Sequence, residues 1–206
     1  MNFLDMDYVV FDVETTGLSP VDGDRIIEIA AARVRRGEVI ARFASFVNPR
    51  RPLNAEAQKL NQITEDMVCG APPASEVLPL FMEFTGGSCL VAHNAAFDIK
   101  FVCYELAQAG RKLHDGIPVL DTMKISKSFL PHLTSQRLSY IAHSLGVSVG
   151  TTHRAAADVD ILVGIMGRLF ALAPDYNVRT FRDLIARFGV EKPGYKIHEG
   201  TQLSFL

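Results

Sequence analysis

The alternation of apolar and polar positions predicts a sheet laid down first and helices packed on it afterwards. Three apolar, β-branched segments open the chain at residues 8–13, 25–36 and 38–47, and each reads as a strand. Gly37 marks a tight turn between the second and third, which therefore form a hairpin. The polar loop TTGLSPVDGD separates the first strand from the second. Residues 54–61 and 76–84 read as helices joined by the proline-rich CGAPPAS. SCLVAHN then gives a short buried strand running into AAFDIKFVCYELAQAG. There Phe97, Phe101, Tyr104 and Ala107 recur at helical spacing, and Gly110 can end the helix. IPVLDT is another short strand, with Asp121 or Thr122 available as a cap. SQRLSYIAHSLGV forms a helix after Ser135, and HRAAADVDILVGIMGRLFALA a long one with the stripe Val159, Leu162, Met166 and Leu169.

Strands able to pair antiparallel, followed by strands alternating with helices, place the chain in the α/β class, with a mixed central sheet flanked by helices. After Pro174 an amphipathic helix is expected around residues 178–188, and the polar GVEKPGYKIHEGTQLSFL closes the chain as an appendage. The expected division is a main domain over 1–173 and a C-terminal helix and tail over 174–206. No internal repeat or low-complexity segment interrupts it.

Composition narrows the function classes. With 206 residues, 48% of them hydrophobic, the chain suits one globular domain. No apolar run reaches the length of a membrane span, and MNFLDMD lacks a basic region ahead of an apolar stretch, so a cytoplasmic protein with no membrane partner is expected. The three cysteines, Cys69, Cys89 and Cys103, form no CxxC pair and read as reduced thiols. A formal charge of −2 argues against a strongly basic, non-specific nucleic-acid binder, but leaves room for an enzyme that brings its own cations. The early arginines (Arg25, Arg33, Arg35, Arg36, Arg42, Arg50 and Arg51) read more simply as a solvated strand surface than as a phosphate track.

Asp12 and Glu14 break the pattern. Two residues apart on one strand, they point to the same face at the edge of what should be core. Two bare carboxylates there would repel, and desolvation would raise their pKa values. Asp98 stands in the first turn of the helix after VAHN, which Asn94 can cap. Asp158 opens the long helix, five residues after His153. That spacing along a helix amounts to ~140° of angular separation, so His153 is expected in the loop ahead of the helix, entered through Thr151 and Thr152. Four acids in one cleft require hard divalent cations with oxygen ligands, Mg²⁺ or Mn²⁺. A rim histidine, with its pKa near neutrality, suits proton transfer from water.

FDVETTGL, HNAAFDIKF and HRAAAD resemble the three motifs of the DEDDh superfamily of 3′→5′ exonucleases, which includes the proofreading epsilon subunit of bacterial DNA polymerase III. NQITEDMV and VLDT also resemble family segments, and the likeness runs from Tyr8 to Leu172. It implies a ribonuclease H-like fold and hydrolysis of terminal phosphodiesters to nucleoside 5′-monophosphates with two divalent metal ions. By that resemblance Asp12 bridges both metals, Glu14 and Asp158 complete one site, Asp98 supports the other, and His153 is the general base. Backbone around Thr15 and Thr16 would hold the terminal nucleotide and Leu18 would wedge beside its base. His93, Asn94 and Phe97 would line the pocket, with Ile63 and Thr64 near the strand end; Phe97 fits a core position equally well.

Single-stranded or frayed 3′ ends suit such a site, because a terminal base must leave its stack to enter. The terminal TQLSFL resembles a bacterial sliding-clamp-binding peptide through Gln202, Leu203, Phe205 and Leu206. Such a tail would favour DNA replication or repair, with a DNA polymerase as a further partner. An RNA-trimming exonuclease is the alternative within the class, and a non-catalytic docking subunit the alternative outside it.

Overall fold

A computed structural model describes residues 3–150 and 154–195. Its frame is a five-stranded mixed sheet in the order β3-β2-β1-β4-β5. Strands β1 (Asp7–Thr15), β2 (Ile26–Arg35) and β3 (Glu38–Phe46) are antiparallel neighbours. Arg36 and Gly37, both at positive φ, form the two-residue turn that closes β2 on β3, the backbone shape that matches strand twist in tight hairpins. Helices α1 (Ala55–Asn61), α2 (Glu65–Cys69) and α3 (Ala74–Thr85) lead to β4 (Cys89–Ala92), which lies parallel to β1. Next come α4 (Ala95–Gln108), β5 (Val119–Asp121), α5 (Thr122–Phe129), α6 (Leu138–Ser144), α7 (Ala155–Leu172) and α8 (Phe181–Phe188). The mixed sheet expected from the sequence is the one observed. Pattern reading passes over α2 and α5, which are too short to show a helical period.

Alternation along β1 sends residues to two cores. Val9, Phe11 and Val13 face α3 and α4, together with Phe81, Ile99 and Phe101. Tyr8 and Val10 face the other side, where Val159, Leu162, Met166 and Leu169 of α7 cover the sheet. The stripe foreseen on the long helix is thus its buried face.

The helix beyond Pro174 packs into the main core. Val178, Leu184 and Phe188 are buried in the same core as α7, and the Thr180 hydroxyl caps α8 by accepting from the Asp183 N–H. The chain after α8 is also tied down. Val190 N–H donates to the Val119 carbonyl (2.9 Å) beside an antiparallel bridge between Leu120 and Gly189. Lys192 Nζ donates to the carbonyls of His114, Asp115 and Ile117. Gly189 and Val190 therefore close the outer edge of β5 and Lys192 ties down the loop ahead of it, while 202–206 lie outside the described residues. Cys69, Cys89 and Cys103 are free thiols, and among the described residues no helix is long and apolar enough to cross a membrane.

Candidate active site

The site begins where β1 outruns its neighbour. β4 pairs with β1 only from Tyr8 to Val10, so the β1 backbone beyond that point needs another partner on this side. The buried Asp98 carboxylate supplies it, its Oδ1 accepting from Val13 N–H at 3.2 Å. On the other face of the same strand end stand Asp12 and Glu14. Oxygens of Asp12, Glu14 and Asp158 lie within 4.8 Å of one another. Three of the four sequence-predicted acids thus come together, and the fourth, Asp98, is joined to β1 through Val13. His153, Thr151 and Thr152 lie outside the described residues; α7 starts at Ala155, just past them.

The electrostatics show strain by charge. Burial, then Asp98, Glu14, Asp158 and Glu28, hold the Asp12 carboxyl well above the usual carboxylate range. Asp98 is raised as well, chiefly by burial, although the Val13 N–H works against that rise. Glu14 is pushed up to about 7 by burial, Asp158 and Glu28, with Arg154 pulling it down. An acid whose folded pKa exceeds its unfolded one weakens the fold as pH rises. The penalty starts as the unfolded form ionises near 4.5 and is complete above the folded value near 7. In EDTA, Glu14→Gln should therefore match wild type near pH 4.5 and exceed it at pH 8, by about 3 kcal/mol. Denaturant titrations across that range check this; a stability difference independent of pH would refute it.

A cleft of about 590 Å³ opens over the acids, lined by Asp12, Asp158, His93, Leu60, Arg137, Leu138 and Ser139. His93 is fastened into its wall. Its Nε2 lies 2.7 Å from the Gln136 carbonyl and its Nδ1 2.9 Å from the Thr122 hydroxyl. The carbonyl requires an Nε2–H, leaving Nδ1 as acceptor. Burial lowers its pKa and so keeps the ring neutral. Asn94 stands at the head of α4 in the left-handed conformation, but its side chain makes no capping bond. Instead its N–H donates to Asp121 Oδ1 (3.0 Å), which also accepts from Met123 N–H and so caps α5.

Other expected contacts are differently placed. Ile63 is fully buried with Ile27, Leu53 and Val68, so it shapes the wall from within and offers no surface; Thr64 is exposed beside it. Thr16 is also buried, and both its backbone groups are engaged. Its N–H donates to the Arg25 carbonyl and its own carbonyl accepts from Asn54 Nδ2. Thr15 bonds the Gly17 carbonyl through its hydroxyl. Leu18, by contrast, is 77% exposed. Phe97 packs on Phe101 at a centroid distance of 5.2 Å and lies under Lys100, a half-buried position at the edge of the core.

Sequence reasoning missed Glu28, Leu60 and Arg137. Glu28 did leave a signal, as the one acid inside the apolar run IIEIAAA; Arg137 left none.

Comparison with known proteins agrees with this geometry. The Exonuclease (RNase_T) family model matches residues 9–166. DNA polymerase III PolC-type of Clostridium perfringens is 43% identical over 162 residues, 79% of this chain and 11% of that protein. The same enzyme of Bacillus cereus is 43% identical over 153 residues, covering 74% and 10%. The chain thus spans about a tenth of the length of these curated relatives. Among solved structures, Exonuclease X in complex with 5′ overhanging duplex DNA superposes with a TM-score of 0.67 at 24% identity, covering 86% of this chain and 96% of that one. A 3′-exonuclease recognising the histone mRNA stem-loop gives 0.72 at 19%, covering 82% and 66%. These distant likenesses establish the ribonuclease H-like exonuclease fold. The match over most of the chain and the acids assembled at the end of β1 lead to one assignment: this chain belongs to the RNase_T exonuclease family, in its DEDDh group.

Proposed function

We propose that the chain is a metal-dependent 3′→5′ exonuclease that removes nucleoside 5′-monophosphates from single-stranded or frayed DNA ends, in proofreading or repair. The observation carrying this reading is the set of Asp12, Glu14 and Asp158 oxygens within 4.8 Å, beside buried Asp98 and at the floor of an open cleft. The donor set fits Mg²⁺ or Mn²⁺: every ligand atom is a carboxylate oxygen, and the raised acids are groups that a hard cation would allow to ionise. Asp12, Glu14, Asp98 and Asp158 would hold the two ions. Once bound, these supply Lewis acidity for activating water and stabilising the leaving oxygen.

The remaining work falls to the chain's own groups. His153 accepts the proton of the attacking water as general base. Neutral His93 adds no charge to the cleft, whereas exposed Arg137, lining the same cleft as Asp12 and Asp158, offers a cation to a phosphodiester. Leu18 and Leu60 are exposed apolar side chains against which an unstacked terminal base can pack, and Asn94, Thr64 and Phe97 are proposed as further contacts. The DNA assignment is supported by the polymerase relatives. The terminal peptide at Gln202, Leu203, Phe205 and Leu206 is proposed to engage a sliding clamp, in keeping with a role beside a DNA polymerase.

The test uses 5′-labelled single-stranded DNA and RNA of identical sequence with Mg²⁺ or Mn²⁺. We expect a ladder that shortens from the 3′ end, is abolished by EDTA, and forms at least ~10-fold faster on DNA, a preference worth ~1.4 kcal/mol in the transition state. Faster shortening of RNA would select the RNA-trimming alternative. No shortening of either strand would reject the catalytic reading.

A further inference from the structure

Glu28 is not one of the three clustered carboxylates, yet it holds the element that delivers one of them. It sits directly across from Glu14 in the β1–β2 pairing, so their side chains emerge on the same face. Like charges in that position normally repel. Here Glu28 is buried and committed to a different partner. Its Oε1 accepts from Arg154 Nη2 (2.9 Å), and its Oε2 accepts from both Arg154 Nε (3.2 Å) and Ala155 N–H (3.0 Å). Arg154 is the N-cap residue of α7 and makes no side-chain capping bond of its own. The cap is therefore supplied from β2, 126 residues earlier in the chain. Arg154 also lies over the Phe46 ring, 5.1 Å from its centroid, so the head of α7 is clamped to both β2 and β3.

We propose that the Glu28–Arg154 clamp is the positioning device for the third motif. It fixes the head of α7 against the sheet so that Asp158 on its first turn is presented to Asp12 and Glu14. The inference rests on the metal-site reading above. Its physical basis is a conflict of forces. Asp12, Glu14 and Asp158 repel one another when they ionise without cations, and Asp158 is carried by the first turn of α7. A bidentate arginine–carboxylate pair, joined by a backbone N–H at the positive end of an 18-residue helix, opposes the opening. Arg154 also brings positive charge close enough to draw Glu14 down.

The experiment is a Mn²⁺ titration of the full chain by calorimetry, well below the melting range, with Tm recorded alongside. Glu28→Gln keeps an acceptor for Ala155 N–H but loses the ion pair, and Arg154→Lys keeps the charge but loses the fork. Each should weaken Mn²⁺ binding about 10-fold, the lower end of the span known for outer partners of metal ligands, and reduce kcat while leaving KM for the oligonucleotide within about twofold. In an Asp158→Asn background the Glu28→Gln change should have no further effect on Mn²⁺ binding, because the group being positioned is already lost. A lowered Tm with an unchanged Mn²⁺ midpoint would overturn the proposal and leave Glu28 a purely structural cap. An additive effect in the double variant would also overturn it. If Asp158→Asn alone left Mn²⁺ binding intact, it would be the metal-site reading that fails.

Discussion

Asp12→Asn should abolish shortening of the oligonucleotide, lowering kcat by on the order of 10³ or more, while leaving the protein folded. Asp12 is the residue most enclosed by like charge, with Asp98, Glu14, Asp158 and Glu28 all raising its pKa beyond the effect of burial. Removing its charge therefore relieves the metal-free protein even as it removes a ligand. In EDTA the variant should melt at or above the wild-type temperature. With Mg²⁺ or Mn²⁺ at about 100 times the dissociation constant, wild type should gain ~2.7 kcal/mol and the variant far less. Differential scanning calorimetry with and without metal, beside a single-turnover assay, reads both effects. Retention of a tenth of wild-type activity would sink the assignment of Asp12. So would a variant that melts well below wild type in EDTA, since the lost activity would then report lost folding.

Arg25→Ala should carry the largest stability cost, about 3–5 kcal/mol, because it strands a buried charge. The Glu105 side chain is only 1% exposed while that of Arg25 is 33% exposed. Arg25 Nε donates to Glu105 Oε1 at 2.7 Å, its Nη2 grips Oε2, and Ile26 N–H adds a longer bond to Oε1. This joint ties the C-terminal end of α4 to the first residue of β2. Glu105→Ala should cost less, since the partly exposed arginine can turn to water. The paired change Arg25→Met with Glu105→Leu should recover most of the loss, as well-packed apolar pairs do when they replace buried ion pairs. Urea unfolding of the three variants separates these outcomes, and equal losses for the two single alanine variants would contradict the account.

Much of the molecule was legible because its signals are local. Apolar, β-branched runs gave β1, β2 and β3, and the recurring Phe97, Phe101, Tyr104 and Ala107 gave α4. Asp12 and Glu14 announced themselves as charges where apolar residues were due. What stayed hidden depends on pairings between distant parts of the chain. Glu28 looks like an ordinary strand acid until the register sets it opposite Glu14 and under the head of α7. Ile63 and Thr16 were expected at the ligand surface, but burial of Ile63 with Ile27, Leu53 and Val68, and the bonds of Thr16 to Asp24, Arg25 and Asn54, place both inside. The α8 helix was set apart because a proline precedes it, whereas three-dimensional packing makes it part of the α7 core. Asn94 has the residue type of a helix cap, yet Asp121, from the next strand, takes the bonds that organise its turn.

The bond from Val13 N–H to Asp98 Oδ1 also gives the site an internal gauge. Amide exchange at Val13 depends on how often that carboxylate lets go, whereas exchange at Val9 or Phe11 depends on opening of the sheet itself. Comparing those amide signals by NMR would follow the state of Asp98 one residue at a time, with no substrate present and no label in the cleft.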